Sequence, residues 1–181
     1  MSDRLLALFL LIFLSPIFCL VSFSIFLFDG QPVFFIQKRV GLNNKIFKLY
    51  KFRSMKNNTP NIASNLLNPN RYTTIFGKFI RKLNIDELPN LINILMGDLV
   101  FIGPRPALYN QYDLIKLRSE FGILNIKPGL TGWAQINGRD EISIQQKVLL
   151  DKEYLKKKSL IFNLYILIMT VLYILSPKRK Y

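Results

Sequence analysis

The chain has 181 residues, half of them hydrophobic, which is enough for one domain with its own core. It contains no histidine and one cysteine, Cys19, so a histidine general base, a histidine-ligated zinc site and an intrachain disulfide are excluded. The formal net charge of +14 favours a polyanionic partner, either nucleic acid, anionic lipid or a phosphorylated substrate.

Residues 5–28 form an apolar segment without a charged side chain. As a straight helix it would measure about 36 Å, which exceeds a hydrocarbon core of roughly 30 Å. We predict a retained membrane segment, because no small-residue cleavage site follows it. Pro16 removes a backbone hydrogen bond near its middle, and Ser15 can bond to a freed carbonyl. Two outcomes stay open: a kinked spanning helix, or a helix–break–helix whose ends return to one side.

The distribution of basic residues indicates which side of a membrane the rest of the chain occupies. Several lysines and arginines follow the apolar segment, and a strongly basic side is typically cytoplasmic. These residues are Lys38, Arg39, Lys45, Lys48, Lys51 and Arg53. A second apolar stretch, residues 160–175, is bracketed by basic residues at both ends. We predict a helix in or against the membrane interface there; a buried helix of the globular part is an equal alternative.

The region between the two apolar stretches predicts an α+β fold in which helices dominate. Residues 33–36 and 46–52 read as strands around a Gly-Leu-Asn-Asn turn, which predicts a small β-hairpin. An Asn- and Pro-rich loop follows at 57–70. Apolar periodicity then predicts helices over 75–82, 88–95, 108–121 and 141–155.

The adjacent acids Asp86 and Glu87 open the predicted helix 88–95. The simple interpretation is an N-cap followed by a first-turn acid, a common stabilising arrangement. The functional interpretation is an ionised oxygen nucleophile beside a second carboxylate that can bind a divalent ion, since the helix start favours the charged form. Arg81 lies about one turn upstream and could supply positive charge for a phosphorylated substrate.

Further candidate phosphate-binding residues stand in three short motifs. Arg105 lies between Pro104 and Pro106, which restrict the backbone around a side chain suited to bidentate phosphate contact. Lys51 and Arg139 are candidates by similar reasoning; the simpler interpretation of each is a solvated strand face or loop. The sequence has no GxxxxGK[ST] loop and no GxGxxG motif, so neither a P-loop nor a Rossmann site is supported.

Taken together and in order, these motifs resemble those of the monotopic polyprenyl-phosphate phosphoglycosyl transferases, the bacterial sugar transferases. The resemblance covers nearly the whole chain. One departure is Asn163, where an acid is usual in the family. The motifs are Ser15-Pro16, Asp29-Gly30-x-Pro32, Gln37-x-Arg39-x-Gly41, Lys51-Phe52-Arg53-Ser54-Met55, Gly77-Lys78-Phe79-Ile80-Arg81-Lys82, Asp86-Glu87-Leu88-Pro89, Gly97-Asp98, Gly103-Pro104-Arg105-Pro106, Pro128-Gly129-x-Thr131-Gly132-Trp133-Ala134-Gln135, Asn137-Gly138-Arg139 and Asp151-x-Glu153-Tyr154.

The resemblance implies an arrangement around a membrane. Residues 1–30 would form a re-entrant membrane helix broken at Ser15 and Pro16. Residues 31–159 would form a cytoplasmic catalytic domain with the small hairpin and interfacial amphipathic helices. Residues 160–181 would form an interfacial or membrane-associated helix with a basic tail. The expected location is the cytoplasmic face of a bacterial inner membrane.

The resemblance also implies a reaction. A UDP-sugar would give its phospho-sugar to polyprenyl (undecaprenyl) phosphate with release of UMP, which initiates glycoconjugate assembly. Asp86 would attack the sugar-bearing phosphate and form a covalent aspartyl-phosphosugar, and Asp86 and Glu87 would hold Mg²⁺. Lys51, Arg81, Arg105 and Arg139 would bind substrate phosphates. No nucleic-acid partner is expected, and a homodimer is left open.

Two other hypotheses remain at this point. A non-catalytic, membrane-anchored basic protein that binds anionic lipid or nucleic acid would explain the charge and both apolar stretches. It gives no reason for an acid pair near proline-bounded arginines. An inactive relative that scaffolds another glycosyltransferase is the third hypothesis.

Overall fold

The computed structural model describes residues 2–60, 69–138 and 142–175 and has a helix-dominated α+β fold. The helices are α1 (Ser2–Phe13), α2 (Ser15–Asp29), α3 (Pro69–Tyr72), α4 (Ile75–Lys82), α5 (Asn90–Met96), α6 (Tyr112–Glu120), α7 (Trp133–Ile136), α8 (Ile144–Lys157) and α9 (Leu160–Leu175). The strands are β1 (Phe34–Val40), β2 (Ile46–Phe52), β3 (Val100–Ile102) and β4 (Gly129–Thr131). Short 3₁₀ helices lie at Leu42–Asn44, Ile85–Glu87 and Ile123–Asn125.

The N-terminal apolar segment is broken where the Ser-Pro pair predicts. α1 ends at Phe13 and α2 begins at Ser15, whose hydroxyl donates to the carbonyl of Ile12 at 2.8 Å. Pro16 lies in the first turn of α2, where its missing N–H would have had no helical partner. Within the described ranges no single helix has the length and apolar composition to cross a membrane; α1 and α2 meet that test only together, bent by 62°.

The predicted β-hairpin is confirmed. β1 and β2 pair as a two-stranded sheet, and the turn closes through a hydrogen bond from the Gly41 N–H to the Lys45 carbonyl at 2.8 Å. Asn43 and Asn44 adopt positive φ angles of 52° and 61°. Asparagine tolerates this left-handed conformation better than most residues, which explains the Asn-Asn pair in the turn.

The chain divides into two compact units, each with its own core. The first unit comprises Met1–Gln37 and Lys48–Gly97, and the second comprises Lys38–Phe47 and Asp98–Lys180. In the first, α2 contributes to a core shared with β2 and α4; its buried residues are Val21, Ile25, Phe52 and Ile80. The core of the second includes Val40, Ala107, Leu114, Ile123 and Val148.

The second unit contains a parallel strand pair that the sequence does not predict. β3 and β4 pair in parallel with Val100 opposite Gly129 and Ile102 opposite Thr131. Each strand has only three residues, so neither shows an alternating pattern of apolar and polar side chains. The pair joins the segment before Arg105 to the Gly-rich segment before Trp133.

Several helix boundaries differ from the predicted ones. The helix expected over 108–121 is shorter, Tyr112–Glu120. The helix expected over 141–155 begins at Ile144, because Ser143 is its N-cap and forms a capping box with Gln146. α9 has the predicted range, Leu160–Leu175. The membrane segments expected at 1–30 and 160–181 stay predictions.

Candidate active site

Asp86 and Glu87 lie in a tight turn that leads into α5. They belong to the 3₁₀ helix Ile85–Glu87, which follows Asn84 in a left-handed conformation with φ 54°. The N-cap of α5 is Pro89, and it makes no side-chain capping bond. The simple interpretation, in which the pair supplies the N-cap and the first-turn acid of this helix, is therefore wrong, because the chain enters α5 through a 3₁₀ turn followed by proline. Both acids are half-buried and consecutive on that turn.

Lys51 of β2 is brought into contact with Glu87. Its Nζ lies 2.7 Å from Glu87 Oε1, and the two side chains are 15% and 14% exposed. Limited exposure strengthens the attraction between the two charges, but it also makes either charge costly without the other. The sequence places Lys51 on a strand and Glu87 36 residues later, so only the fold reveals the pair.

Asn93 fixes the distance between β2 and α5, and the sequence reasoning missed it. Its side chain is fully buried and bonds to the backbone of β2 through both amide atoms. Nδ2 donates to the Lys48 carbonyl at 2.7 Å, and Oδ1 accepts from the Tyr50 N–H at 3.0 Å. Because Lys51 follows directly along the strand, Asn93 helps to place its ammonium group opposite Glu87. Asn93 lies off the apolar stripe of the predicted helix, so the hydrophobic periodicity contained no signal for its burial.

Arg81 lies in the last turn of α4, immediately before the turn that carries the acids. Its carbonyl accepts a hydrogen bond from the Asn84 N–H at 3.1 Å, and the Asn84 carbonyl accepts from the Glu87 N–H at 3.1 Å. α4 itself is positioned by Thr74, which caps its N-terminus and donates to Asp29 Oδ2 at 2.8 Å. Lys51, Arg81, Asp86 and Glu87 are thus all part of the first unit.

Arg105 belongs to the second unit, in a loop built on close backbone contacts. The Gly103 N–H donates to the Thr131 carbonyl at 2.9 Å, and the Gly129 N–H donates to the Pro104 carbonyl at 2.9 Å. A Cβ atom at Gly129 would collide with the backbone of Gly103, so both motifs need glycine where they meet. Arg105 is half-buried. The predicted phosphate-binding residue Arg139 lies outside the described residues.

The number of carboxylates that lie together limits how the protein could bind a magnesium ion. Within the described residues, no cluster of three or more His, Cys, Asp or Glu side chains could hold a metal ion. Mg²⁺ commonly binds one or two carboxylates and completes its octahedron with water and substrate phosphates. Asp86 and Glu87 fit that limited role, and they do not fit a site made of protein ligands alone. Magnesium binding stays a prediction.

The family follows from comparison with known proteins. The model of the family described as bacterial sugar transferase matches residues 1–177, so the chain belongs to this family. The chain is 45% identical to the uncharacterized sugar transferase EpsL of Bacillus subtilis over 165 residues, 91% of this chain and 81% of that protein. This membership confirms the resemblance recognised in the sequence motifs.

Two further relatives carry more specific names. The chain is 36% identical over 179 residues to the UDP-glucose:undecaprenyl-phosphate glucose-1-phosphate transferase of Escherichia coli, matching 94% of this chain and 38% of that protein. It is 33% identical over 170 residues to the undecaprenyl-phosphate galactose phosphotransferase of Salmonella typhimurium, matching 84% of this chain and 35% of that protein. The matched region is thus about a third of each of these longer relatives.

Proposed function

We propose that the protein is a polyprenyl-phosphate phosphoglycosyl transferase that moves a phospho-sugar from a UDP-sugar to polyprenyl phosphate and releases UMP. Family membership supports this class, and relatives named as undecaprenyl-phosphate sugar phosphotransferases support the acceptor and the phospho-sugar donor. The observation that carries the chemistry is the half-buried Asp86-Glu87 turn, with Lys51 2.7 Å from Glu87, in a chain without histidine.

Asp86 is the proposed nucleophile. Its carboxylate oxygen attacks the phosphorus that bears the sugar, the bond from that phosphorus to the oxygen of UMP breaks, and UMP leaves. The phosphate oxygen of the polyprenyl phosphate then attacks the same phosphorus, and the bond to Asp86 breaks. Both nucleophiles react as anions, so neither step needs a proton removed by a histidine base. The carboxylate is regenerated for the next cycle.

Positive side chains would offset the charge of the diphosphate. Lys51 holds Glu87 through its ion pair, and Arg81 is on the helix turn immediately before the acids. Arg105 and Arg139 are the proposed phosphate ligands from the second half of the chain. Asp86 and Glu87 would bind Mg²⁺ together with the substrate diphosphate; when bound, the ion neutralises part of the charge on the phosphate oxygens.

The contacts at the two ends of the apolar helix pair support a re-entrant insertion. At the start of α1, Arg4 donates to the carbonyl of Met96 at 3.2 Å. At the end of α2, the buried Arg53 donates to the carbonyls of Asp29 and Gly30 at 2.5 and 2.6 Å. Both ends are therefore held by the first unit, as expected for a segment that enters and leaves on one side.

Exposed apolar side chains support association with a membrane. Phe28 at the end of α2 and Leu160 and Ile161 of α9 are 70%, 86% and 82% exposed, which is costly in water. An acceptor confined to the bilayer and a soluble donor must meet at its surface. We place the protein on the cytoplasmic face of the bacterial inner membrane, which is the side favoured by its basic residues. Binding of nucleic acid is not expected, and a homodimer remains an open prediction.

A donor screen tests the proposal. Purified protein in detergent would be mixed with polyprenyl phosphate, Mg²⁺ and one UDP-sugar at a time, and UMP release would be measured. We expect release with at least one donor, a requirement for Mg²⁺, and loss of turnover in Asp86→Asn. Asp113→Asn removes an exposed carboxylate from α6 and should leave turnover unchanged. Normal turnover in Asp86→Asn would refute its role, and no release with any donor would favour a non-catalytic binding protein.

A further inference from the structure

The Asp151-x-Glu153-Tyr154 motif of α8 has no role in the chemistry described above. In the second unit, however, its three side chains each bond to a different part of the framework around Arg105 and Trp133. Asp151 and Tyr154 are three residues apart, so they share one face of α8, and both are 1% exposed. Glu153 points to one side of that face and is half-buried.

Asp151 reaches the Arg105 loop through a second arginine. Arg118 of α6 donates to Asp151 Oδ2 from Nε at 2.9 Å and from Nη2 at 2.6 Å. Its remaining nitrogen, Nη1, donates to the carbonyl of Arg105 at 2.7 Å. Burial raises the pKa of the Asp151 carboxyl above its ordinary value, and Arg118 opposes that rise. The Arg118 guanidinium therefore favours the charged form of this buried carboxyl.

Tyr154 bonds to the end of β3, and Glu153 bonds to the first residue of α7. The Tyr154 hydroxyl lies 3.0 Å from the carbonyl of Ile102, the last residue of β3, and 3.0 Å from the amide oxygen of Asn163. Glu153 Oε2 accepts a hydrogen bond at 2.8 Å from the indole N–H of Trp133, which follows β4. The motif thus bonds to the last residue of β3 and to a residue that closely follows β4.

These contacts fix the backbone at two points three residues apart. The carbonyls of Ile102 and Arg105 are both bonded to side chains, and the segment between them contains Gly103 and Pro104. On the far side of the loop, the carbonyl of Pro106 accepts from Arg39 Nη1 at 2.8 Å. A buried ion pair alone is weak evidence for stability. Here the third nitrogen of Arg118, Nη1, is not needed for the ion pair with Asp151. It donates instead to the carbonyl of Arg105, the residue proposed to bind phosphate.

We propose that Asp151 and Tyr154, together with Glu153 on Trp133, form a positioning element that sets the backbone at Arg105 and preorganises this residue to bind a phosphate of the UDP-sugar donor. This inference rests on the proposed function, because it assigns Arg105 to the donor. The three residues are positioning residues that touch no substrate. Preorganised placement of a charged group is a large part of what an active site contributes.

A double-mutant cycle separates positioning from general stability. Asp151→Asn removes the negative charge that pairs with Arg118, and Tyr154→Phe removes the hydroxyl that bonds to the Ile102 carbonyl, both with little change of volume. Each substitution would be made in the native chain and in Arg105→Ala. We expect about a tenfold fall in kcat/KM for the UDP-sugar in the native chain. In Arg105→Ala the same changes should cost less than about twofold, since the side chain that they position is gone. Equal losses in both backgrounds would overturn the inference while leaving the proposed function intact.

Hydrogen exchange supplies a readout that does not need activity. Exchange of the backbone amides at 100–108, followed by mass spectrometry, should be about tenfold faster in Asp151→Asn and Tyr154→Phe than in the native chain. Ile123→Ala is the control, because it creates a cavity in the same unit without removing a bond to this loop. Unchanged exchange at 100–108 in the two motif variants would refute the positioning element. If the native protein released no UMP from any donor, the proposed function would fail while this measurement still decided the structural claim.

Discussion

Replacing Asn93 with leucine should loosen the contact between β2 and α5 that places Lys51 beside Glu87. The Asn93 side chain is fully buried and makes two hydrogen bonds to the β2 backbone, at 2.7 and 3.0 Å. Leucine has a similar size and makes neither bond, so the Lys48 carbonyl and the Tyr50 N–H would lose their side-chain partners at a partly buried contact. At about 1–3 kcal/mol for each group, the expected loss is about 2–6 kcal/mol.

Thermal unfolding in constant detergent measures this loss. A loss of about 3 kcal/mol corresponds to a fall of about 6–12 °C in Tm for a chain of this size. Asn90→Leu is the matched control: Asn90 is also buried on α5, and its Oδ1 accepts no hydrogen bond within the described structure. We expect this control to change Tm little or to raise it. Equal Tm values for Asn93→Leu and Asn90→Leu would refute the clamp between β2 and α5.

Two further predictions concern charged side chains. Lys51→Met removes the ion-pair partner of the poorly exposed Glu87 and should lower the free energy of unfolding by about 2 kcal/mol, measured by urea unfolding. Hydrogen bonds from Lys157 and Trp133 lower the pKa of Glu153 below 4.5, so its stabilising contribution is present above pH 4.5 and is lost as the pH falls through the lower, folded-state pKa. Fluorescence of Trp133, the single tryptophan, should therefore change with a midpoint below pH 4.5.

Each of these has a control on the same element. Lys48→Met removes an exposed lysine from β2 and should leave the free energy of unfolding nearly unchanged; a loss equal to that of Lys51→Met would contradict the importance of the pair. Lys157→Met removes the ammonium group that bonds to Glu153, so it should move the fluorescence midpoint towards pH 4.5. A midpoint that stays in place would show that the ion pair at 2.6 Å does not govern the titration.

Features with a strong local cause could be predicted from the sequence. Pro16 forces an interruption in an otherwise continuous apolar segment, and Ser15 repairs it by bonding to Ile12. The hairpin followed from two strand-like runs and an Asn-Asn turn that accepts positive φ. The full extent of α9 followed from an apolar run bounded by basic residues.

Features that depend on distant parts of the chain could not be predicted. The simple interpretation of the acid pair as a helix cap does not hold, because α5 begins after Pro89 and a preceding 3₁₀ turn. β3 and β4 are too short to show periodicity, and their pairing depends on the close approach of Gly103 and Gly129. The burial of Asn93 had no local signal, because its hydrogen-bond partners lie more than 40 residues away along the chain.

The mass of the intact protein tests the central proposal most directly. The purified chain would be incubated with Mg²⁺ and a UDP-sugar that supports UMP release, without polyprenyl phosphate, and then quenched in acid. We predict a mass increase of one phospho-sugar per chain, located at Asp86 by fragmentation, and no increase in Asp86→Asn. An unmodified polypeptide, together with normal product formation once polyprenyl phosphate is added, would contradict a covalent intermediate on this aspartate.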